Sequence, residues 1–509
     1  MLPLLLGVLL IVFYGFSRKR KSSSLPLPPG PKKLPILGNI LQMPSSENEW
    51  EVYADWAREF NSDILHVQAG NNSLILVNTV EIAKDLLDKR SAKYSSRPQF
   101  TMSADLVGWI WSFVSMPYSD AWKERRRMFQ KNFHPSDDSI HKPREIEFIR
   151  QLLPRILDTP EDILPLTKHM MGGITLSLGY GIDIHPTNDP WVDLAGRAME
   201  GASGYPMPGT FLVDTIPILK YVPEWFPGAG FQTKARIWRG LQERFRQEPF
   251  DATVRDLNAG TARPSFVSVA LSRIDDGPDA ARQRDVIRDT AGMFFAAGAE
   301  TTGSSIHTFI LAMLCHPEIQ AKAQKEIDET IGTGRLPEFS DQANLPYLAA
   351  LVKEVMRWRP VTPMAVPHKV IEEDIYNGYY IPAGSTIIPN VWAMLRNQDH
   401  YPDPLVFNPD RFLKDGQLNP AILDPTEVVF GFGRRACPGS HIALSTLWLT
   451  AASILSTFNI TKKLDANGDP IEPHMKYFNA MICYPLPFEC EVKPRSKTAE
   501  KVIQSAVDY

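Results

Sequence analysis

Cysteine is scarce in this chain: four in 509 residues, at positions 315, 437, 483 and 490. They are too few and too scattered for a disulfide framework, which excludes a small stapled secreted fold and fits a reducing compartment. A strong charge excess is missing too. The net charge is −4, so nothing calls for nucleic acid. The chain has no internal repeat and no extended low-complexity tract. Its most apolar run, Leu2 to Phe16, is shorter than the ~20 residues of a full membrane span.

What is present reads as an ordinary globular composition, 44% hydrophobic and 22% charged. The length is enough for a large core and, by itself, suggests about three domains. The apolar run at the amino terminus is followed by Arg18-Lys19-Arg20-Lys21, with no small-x-small cleavage pattern. Charge after the run, instead of before it, argues for an uncleaved anchor over a signal peptide, with the rest of the chain on the cytosolic side. Proline is abundant at 43 residues, and Leu25-Pro26-Leu27-Pro28-Pro29-Gly30-Pro31 follows the basic cluster. Proline fixes φ and removes donors, so this piece is expected to be an extended strut holding the body away from a bilayer. The expected organisation is an anchor and basic stop over 1–21, a proline-rich hinge over 22–38 and a body over 39–509, flexible after about 494.

Within the body, periodicity predicts helices over Trp50–Phe60, Glu81–Lys89 and Leu348–Trp358, and a hairpin from Ile64–Val67 and Ser73–Val77. A helix from Val286 to Leu314, ended by Pro317, would be ~40 Å long, enough to cross a domain. The fold class is therefore mainly α with a small β region.

The densest chemical signal is Phe430-Gly431-Phe432-Gly433-Arg434-Arg435-Ala436-Cys437-Pro438-Gly439, with the apolar segment from Ile442 behind it. A single cysteine sits in a glycine-bracketed turn at the mouth of a helix. Helix-start amides and a nearby arginine lower a thiol's pKa, and the thiolate is the metal-binding form. A buried structural cysteine in a glycine-rich turn is the plainer alternative. A second irregular stretch is Phe294-Phe295-Ala296-Ala297-Gly298-Ala299-Glu300-Thr301-Thr302-Gly303. It places glycines, paired threonines and a carboxylate in the middle of a predicted apolar helix, where local rules disfavour all three. Close packing for Gly298 and a back-bond for Thr301 are the structural alternatives.

Together these motifs resemble the cytochrome P-450 monooxygenases, and the resemblance runs from the proline hinge to about Pro487. Phe430-x-x-Gly433-x-Arg435-x-Cys437-x-Gly439 resembles the family's haem loop, and Ala297-Gly298-x-Glu300-Thr301-Thr302 its oxygen-binding helix. Glu354-x-x-Arg357, with Arg411 in Asn408-Pro409-Asp410-Arg411-Phe412, is similar to its structural ion-pair signature. Trp122-x-x-x-Arg126, His368 after Pro367, and Arg435 match its contacts to the haem propionates. The resemblance implies one haem domain of the cytochrome P-450 fold behind a membrane anchor, on the endoplasmic reticulum and facing the cytosol. It implies haem b with Cys437 as axial ligand, and Glu300 and Thr301 delivering protons, with the helix widened there. Glutamate replaces the commoner aspartate, a difference of one methylene.

The implied reaction inserts one oxygen atom from O2 into a lipophilic molecule, by hydroxylation and in some cases successive oxidation. NADPH supplies electrons through NADPH–cytochrome P-450 reductase, with cytochrome b5 a further candidate donor. Lys123, Arg125, Arg127 and Arg434 are left for a basic docking face. Expected pocket residues are Trp109, Phe113, Phe295, Ala299, Val361, Met364 and Met481, with Trp111, Phe294, Val366 and Phe478 beside them. Phe211-Leu212 and Trp225-Phe226-Pro227 would dip into the bilayer as an entrance. Details such as Met116-Pro117-Tyr118-Ser119-Asp120 look like basidiomycete secondary-metabolism members, with a terpenoid-like substrate. A reductase-independent haem-thiolate isomerase or dehydratase, and a non-enzymatic haem sensor, are the competing functions.

Overall fold

The computed structural model describes residues 24–35, 37–44, 48–203, 210–275 and 277–507. The anchor expected over 1–21 lies outside them. Among the described residues, no helix is long and apolar enough to cross a membrane.

One helix organises the molecule. Ala280–Cys315 runs 36 residues, about 54 Å at 1.5 Å per residue. It begins six residues before the predicted start, because Ala280-Ala281-Arg282-Gln283-Arg284-Asp285 forms a polar first stretch leading into the buried part. It ends at His316, where Pro317 starts the next helix. Helices Lys142–Asp158, Ile163–Tyr180 and Ser440–Thr457, together with Asp120–Asn132, share its main core. Gly298 shows how close this packing is. A Cβ there would stand 2.7 Å from Thr175 Cγ2, so this glycine permits the Ile163–Tyr180 helix to approach.

The β region is small, as expected. Its first six strands are β1 (Ile64–Ala69), β2 (Asn72–Val77), β3 (His368–Lys369), β4 (Asp374–Tyr376), β5 (Tyr379–Ile381) and β6 (Thr386–Pro389), and the later short strands pair two by two. One sheet has the order β1-β2-β6-β3, and β4 pairs with β5 as a separate hairpin. β1 and β2 are antiparallel with Ile64 opposite Val77, and β2 and β6 run parallel. Pairing of His368 with Ile387 of β6 fixes that histidine at the sheet's edge.

Helices Glu49–Glu59 and Pro346–Trp358 fall within two residues of their predicted bounds. Three expectations change. The segment predicted as one helix over Glu81–Lys89 is a short α turn, Val80–Ala83, that widens over Lys84–Lys89, where the Arg90 amide reaches back five residues to Asp85. The proline-rich piece is not a free strut from Pro26 onward. Its carbonyls serve the sheet, Pro29 accepting from the His66 amide at 2.8 Å and Pro26 from the Tyr380 amide at 2.7 Å. The segment after 494 is also ordered into a helix, Lys497–Gln504, capped by Ser496. Ala499 and Ile503, one turn apart, are buried in it.

Candidate active site

The cysteine turn is built by its glycines and its neighbours. Gly433 has φ +56°, and a Cβ there would collide with the Leu87 carbonyl. The widened turn at Lys84–Lys89 therefore presses on the loop's backbone. The Cys437 amide donates to the Phe430 carbonyl at 2.7 Å, closing the turn, and the helix Ser440–Thr457 starts three residues later. A Cβ at Gly439 would only reach ordinary contact with Phe129, and the Gly439 amide is bonded to the Cys437 thiol. Cys437 carries accessible surface, yet surrounding protein desolvates its thiol. Both observations hold if it lies on the wall of an internal cavity. The expected lowering of its pKa is corrected. Burial pushes the thiol up, and the Gly439 amide and Arg126 offset this only in part.

Around this loop stand cations without acids. Arg126 donates to the Ala436 carbonyl at 2.6 Å. Arg435 donates to the carbonyls of Ser95, Phe113 and Met116 at 2.7, 3.2 and 2.7 Å, and its guanidinium lies 4.3 Å over the Trp122 ring. Arg97, which sequence reasoning missed, donates to the carbonyls of Val114, Val366 and Pro367. Among the described residues none of the three is paired with a carboxylate. Burial lowers all three pKa values, Arg435 to about 9, and Arg435 lowers Arg97 further. His368 completes the group. Burial and the two arginines Arg97 and Arg435 hold its pKa well below the ordinary value, and its Nδ1 faces the Tyr94 carbonyl at 2.9 Å. With the Nδ1 proton given to that carbonyl, Nε2 donates to an anion only when the ring is protonated. Arg97 has a sequence signal: it is the one charge between Tyr94 and Ala104 and precedes Pro98.

On the central helix, the Thr301 hydroxyl donates to the Ala297 carbonyl at 2.7 Å, leaving its oxygen free to accept. The helix is α throughout this stretch, so the expected widening is not seen. Glu300 pairs with Lys168 of the neighbouring helix at 3.2 Å, and Lys168 is about half exposed (48%). The acid is thus connected to a solvent-reaching ammonium.

Glu354, Arg357 and Arg411 meet. Arg357 grips Glu354 through Nε and Nη2 at 2.6 and 2.8 Å, and Arg411 Nε reaches the same carboxylate at 3.3 Å. The Asn408 amide adds a fourth donor at 2.7 Å. Arg357 also binds the carbonyls of Leu395, Pro404 and Val406, so a fully buried pair ties the 395–411 loop to the helix.

A largely apolar cavity opens beside Arg97. Trp109, Met481 and Val366 lie on its walls, with Ile110, Phe100 and Met293. The other expected pocket residues are absent from those walls. Phe295 is fully buried, stacked on Phe245 at 5.0 Å. Met364 belongs to a core cluster with Trp50 and Tyr53. Phe113 contributes its carbonyl to Arg435, Val361 its carbonyl to the Cys483 amide, and Ala299 is buried in the main core. The basic face is also smaller than expected. Arg125 is taken by buried Asp289 at 2.7 Å, which Arg246 also holds. Lys123 pairs with Asp120 on the surface, while Arg127 and Arg434 remain exposed.

Residues 28–482 match the family model described as Cytochrome P450. Among curated relatives, cytochrome P450 monooxygenase ple1 of Rhodocybe pseudopiperita is 46% identical over 97% of this chain and 94% of its own length. Cytochrome P450 monooxygenase 98 of Postia placenta is 41% identical over 96% and 94%. Tryptamine 4-monooxygenase of Psilocybe cyanescens is 37% identical over 99% of this chain and its full length. The chain belongs to the cytochrome P450 family, among its fungal monooxygenases. That family implies a haem-thiolate iron cofactor. The residues fit such a group: an accessible cysteine in a glycine turn, with Arg126 beside it, Arg435 beside Arg126 and Arg97 beside Arg435, none paired with an acid among the described residues, which suits two carboxylates.

Proposed function

We propose that Cys437 would hold haem b through its thiolate, and that Arg97, Trp122, Arg126 and Arg435, with His368 once its ring is protonated beside the propionates, would hold the propionates. The observation that carries this is the cluster of Arg126, Arg435 and Arg97 next to the cysteine loop. Buried like charges with no acid are costly, and two carboxylates at that position would neutralise them. Haem iron with a cysteine thiolate supplies electron density that favours O–O cleavage. The protein's share is to place a substrate, exclude water and move protons. Thr301 presents an acceptor oxygen one residue from Glu300, and Lys168 links that acid to solvent. This gives a proton route that a haem-thiolate isomerase or a sensor does not require.

The reaction is insertion of one oxygen atom into a lipophilic small molecule, terpenoid-like, in fungal secondary metabolism. The cavity supports an uncharged substrate. Among the described residues its walls carry no carboxylate to neutralise an ammonium, and their one charged residue is Arg97. Electrons come from NADPH through a reductase, with cytochrome b5 as a second donor. The docking face is reduced to Lys123, Arg127 and Arg434. The enzyme is held on the endoplasmic reticulum by residues 1–21, and the exposed Leu212, Ile218, Tyr221, Trp225 and Phe226 support contact with the bilayer near the entrance.

The deciding experiment is the carbon monoxide difference spectrum of the dithionite-reduced protein. A strongly red-shifted Soret band is expected, and Cys437→Ala should lose it. An imidazole-like band from intact protein would refute the ligand assignment. Substrate-dependent NADPH and O2 consumption with reductase then separates a monooxygenase from an isomerase.

A further inference from the structure

A second set of cations, unpaired with acids among the described residues, lies away from the cysteine loop. Arg359 ends the helix Pro346–Trp358, and Arg396 follows the short helix Val391–Met394. Arg396 donates from Nη2 to the Trp358 carbonyl at 2.7 Å and lies 4.2 Å over the Trp392 ring. Arg359 stands over two rings, Trp358 at 5.3 Å and Tyr477 at 5.1 Å. Aromatic stacking fixes the guanidinium planes but does not satisfy their in-plane donors. Nε and Nη1 of Arg396 and Nε of Arg359 are buried with no hydrogen-bond partner.

The surrounding charges do not offset the pair. Arg359 and Arg357 both push protons off Arg396, and burial does so most strongly. On the other side are Glu354, already held by two arginines and the Asn408 amide, and Glu51 of the helix Glu49–Glu59, which acts only at a distance. Two adjacent, half-buried guanidiniums with open donors are poorly placed unless an anion joins them. Two planar forks suit several oxygens on one centre, as in a phosphate, better than a point charge.

We propose that Arg359 and Arg396 form a binding site for a phosphate-class oxyanion, distinct from the haem site and filled from solution or by an anionic lipid headgroup. The lipid source has support in the fold. Trp392 and Tyr477 pack on the same small core as Ile40 and Met43. Ile40 in turn borders Gly70 beside Thr215, at the start of the exposed apolar stretch. That arm rests on the membrane reading above, whereas binding of free phosphate does not.

The test uses the haem-loaded full chain, so that the cations near Cys437 are already engaged. Inorganic phosphate is titrated in detergent against chloride at matched ionic strength, following the thermal midpoint. A specific site gives a rise that saturates, whereas general salting by phosphate rises without saturation. In parallel, vesicles of phosphatidylcholine with and without phosphatidic acid replace the detergent. Saturation by free phosphate assigns the solution source, and a rise only with phosphatidic acid assigns the headgroup. Arg359→Gln and Arg396→Gln should each remove the saturable part, and Arg359→Lys should keep a weakened one. If both arms are flat, or if the saturable part survives in both glutamine variants, the proposal fails. A flat wild-type titration overturns the proposal by itself, and where a glutamine variant does not fold, the weakened saturable part in Arg359→Lys assigns the site.

Discussion

Glu145 and His141, on neighbouring turns at the start of the helix Lys142–Asp158, are held in unusual charge states by burial. Burial raises Glu145 to about 8, against a smaller lowering by Ser445, Thr446 and Lys142. His141 is lowered to about 4 by burial and then by His441 and Lys142. Between 4.5 and about 8 the unfolded chain ionises this acid while the folded chain keeps the proton, so stability falls as pH rises through that window. For His141 the sign is opposite: between about 4 and 6.5 the unfolded chain binds the proton, so stability rises with pH. Thermal midpoints should therefore drop from pH 6.5 to 8, and Glu145→Gln should flatten that drop. An unchanged slope would remove Glu145 as its source. At the proton route, Thr301→Ala should cut product by up to ~10²-fold while NADPH use persists and peroxide appears. Lys168→Met should lower coupling and also cost some stability, because Glu300, 14% exposed, loses the half-exposed ammonium that pairs with it. Coupling equal to the parent's in Thr301→Ala would take Thr301 out of the route. The residues legible from sequence were those in dense motifs, such as Cys437 and Glu354. Arg97 was not, because its partners are carbonyls at 114, 366 and 367, which carry no residue identity.

At the level of elements, the buried ion pair is the feature most sensitive to change. Removing one partner of such a pair leaves an uncompensated charge and costs ~3–5 kcal/mol. Glu354→Ala would also take the carboxylate from Arg357, Arg411 and the Asn408 amide, leaving two buried guanidiniums uncompensated and the 395–411 loop held by carbonyl contacts alone. Little haem-loaded protein should be recovered, and a well-folded loaded variant would contradict this structural role. Helices with strong periodicity were legible because their apolar faces coincide with their buried faces, as at Trp50, Tyr53 and Ala54. The tail helix escaped because its buried stripe is short, set by Ala499 and Ile503. The docked proline segment escaped because it is held by backbone groups at Pro26 and Pro29. Pocket residues were the least legible, since an aromatic such as Phe295 looks the same in sequence whether it lines a cavity or fills the core.

Across the whole molecule, the residues from Leu212 to Phe226 hold the densest run of exposed apolar side chains. Trp225, 80% exposed, joins Tyr221, Ile218 and Leu212 there. A patch of this kind marks an interaction site. With residues 1–21 deleted, the body should still sediment with vesicles, and Trp225→Ser with Phe226→Ser should release it to the supernatant. Equal sedimentation of the two forms would assign membrane contact to another surface. The cations of Arg97, Arg126 and Arg435 carry a consequence for production of the enzyme in a cell. On the proposed propionate assignment, the newly made chain would hold these guanidiniums unneutralised until haem arrives, and its last folding step would wait on prosthetic-group supply. Yield should then follow porphyrin and iron supply more steeply than transcript level, and chains made in excess should be lost to proteolysis.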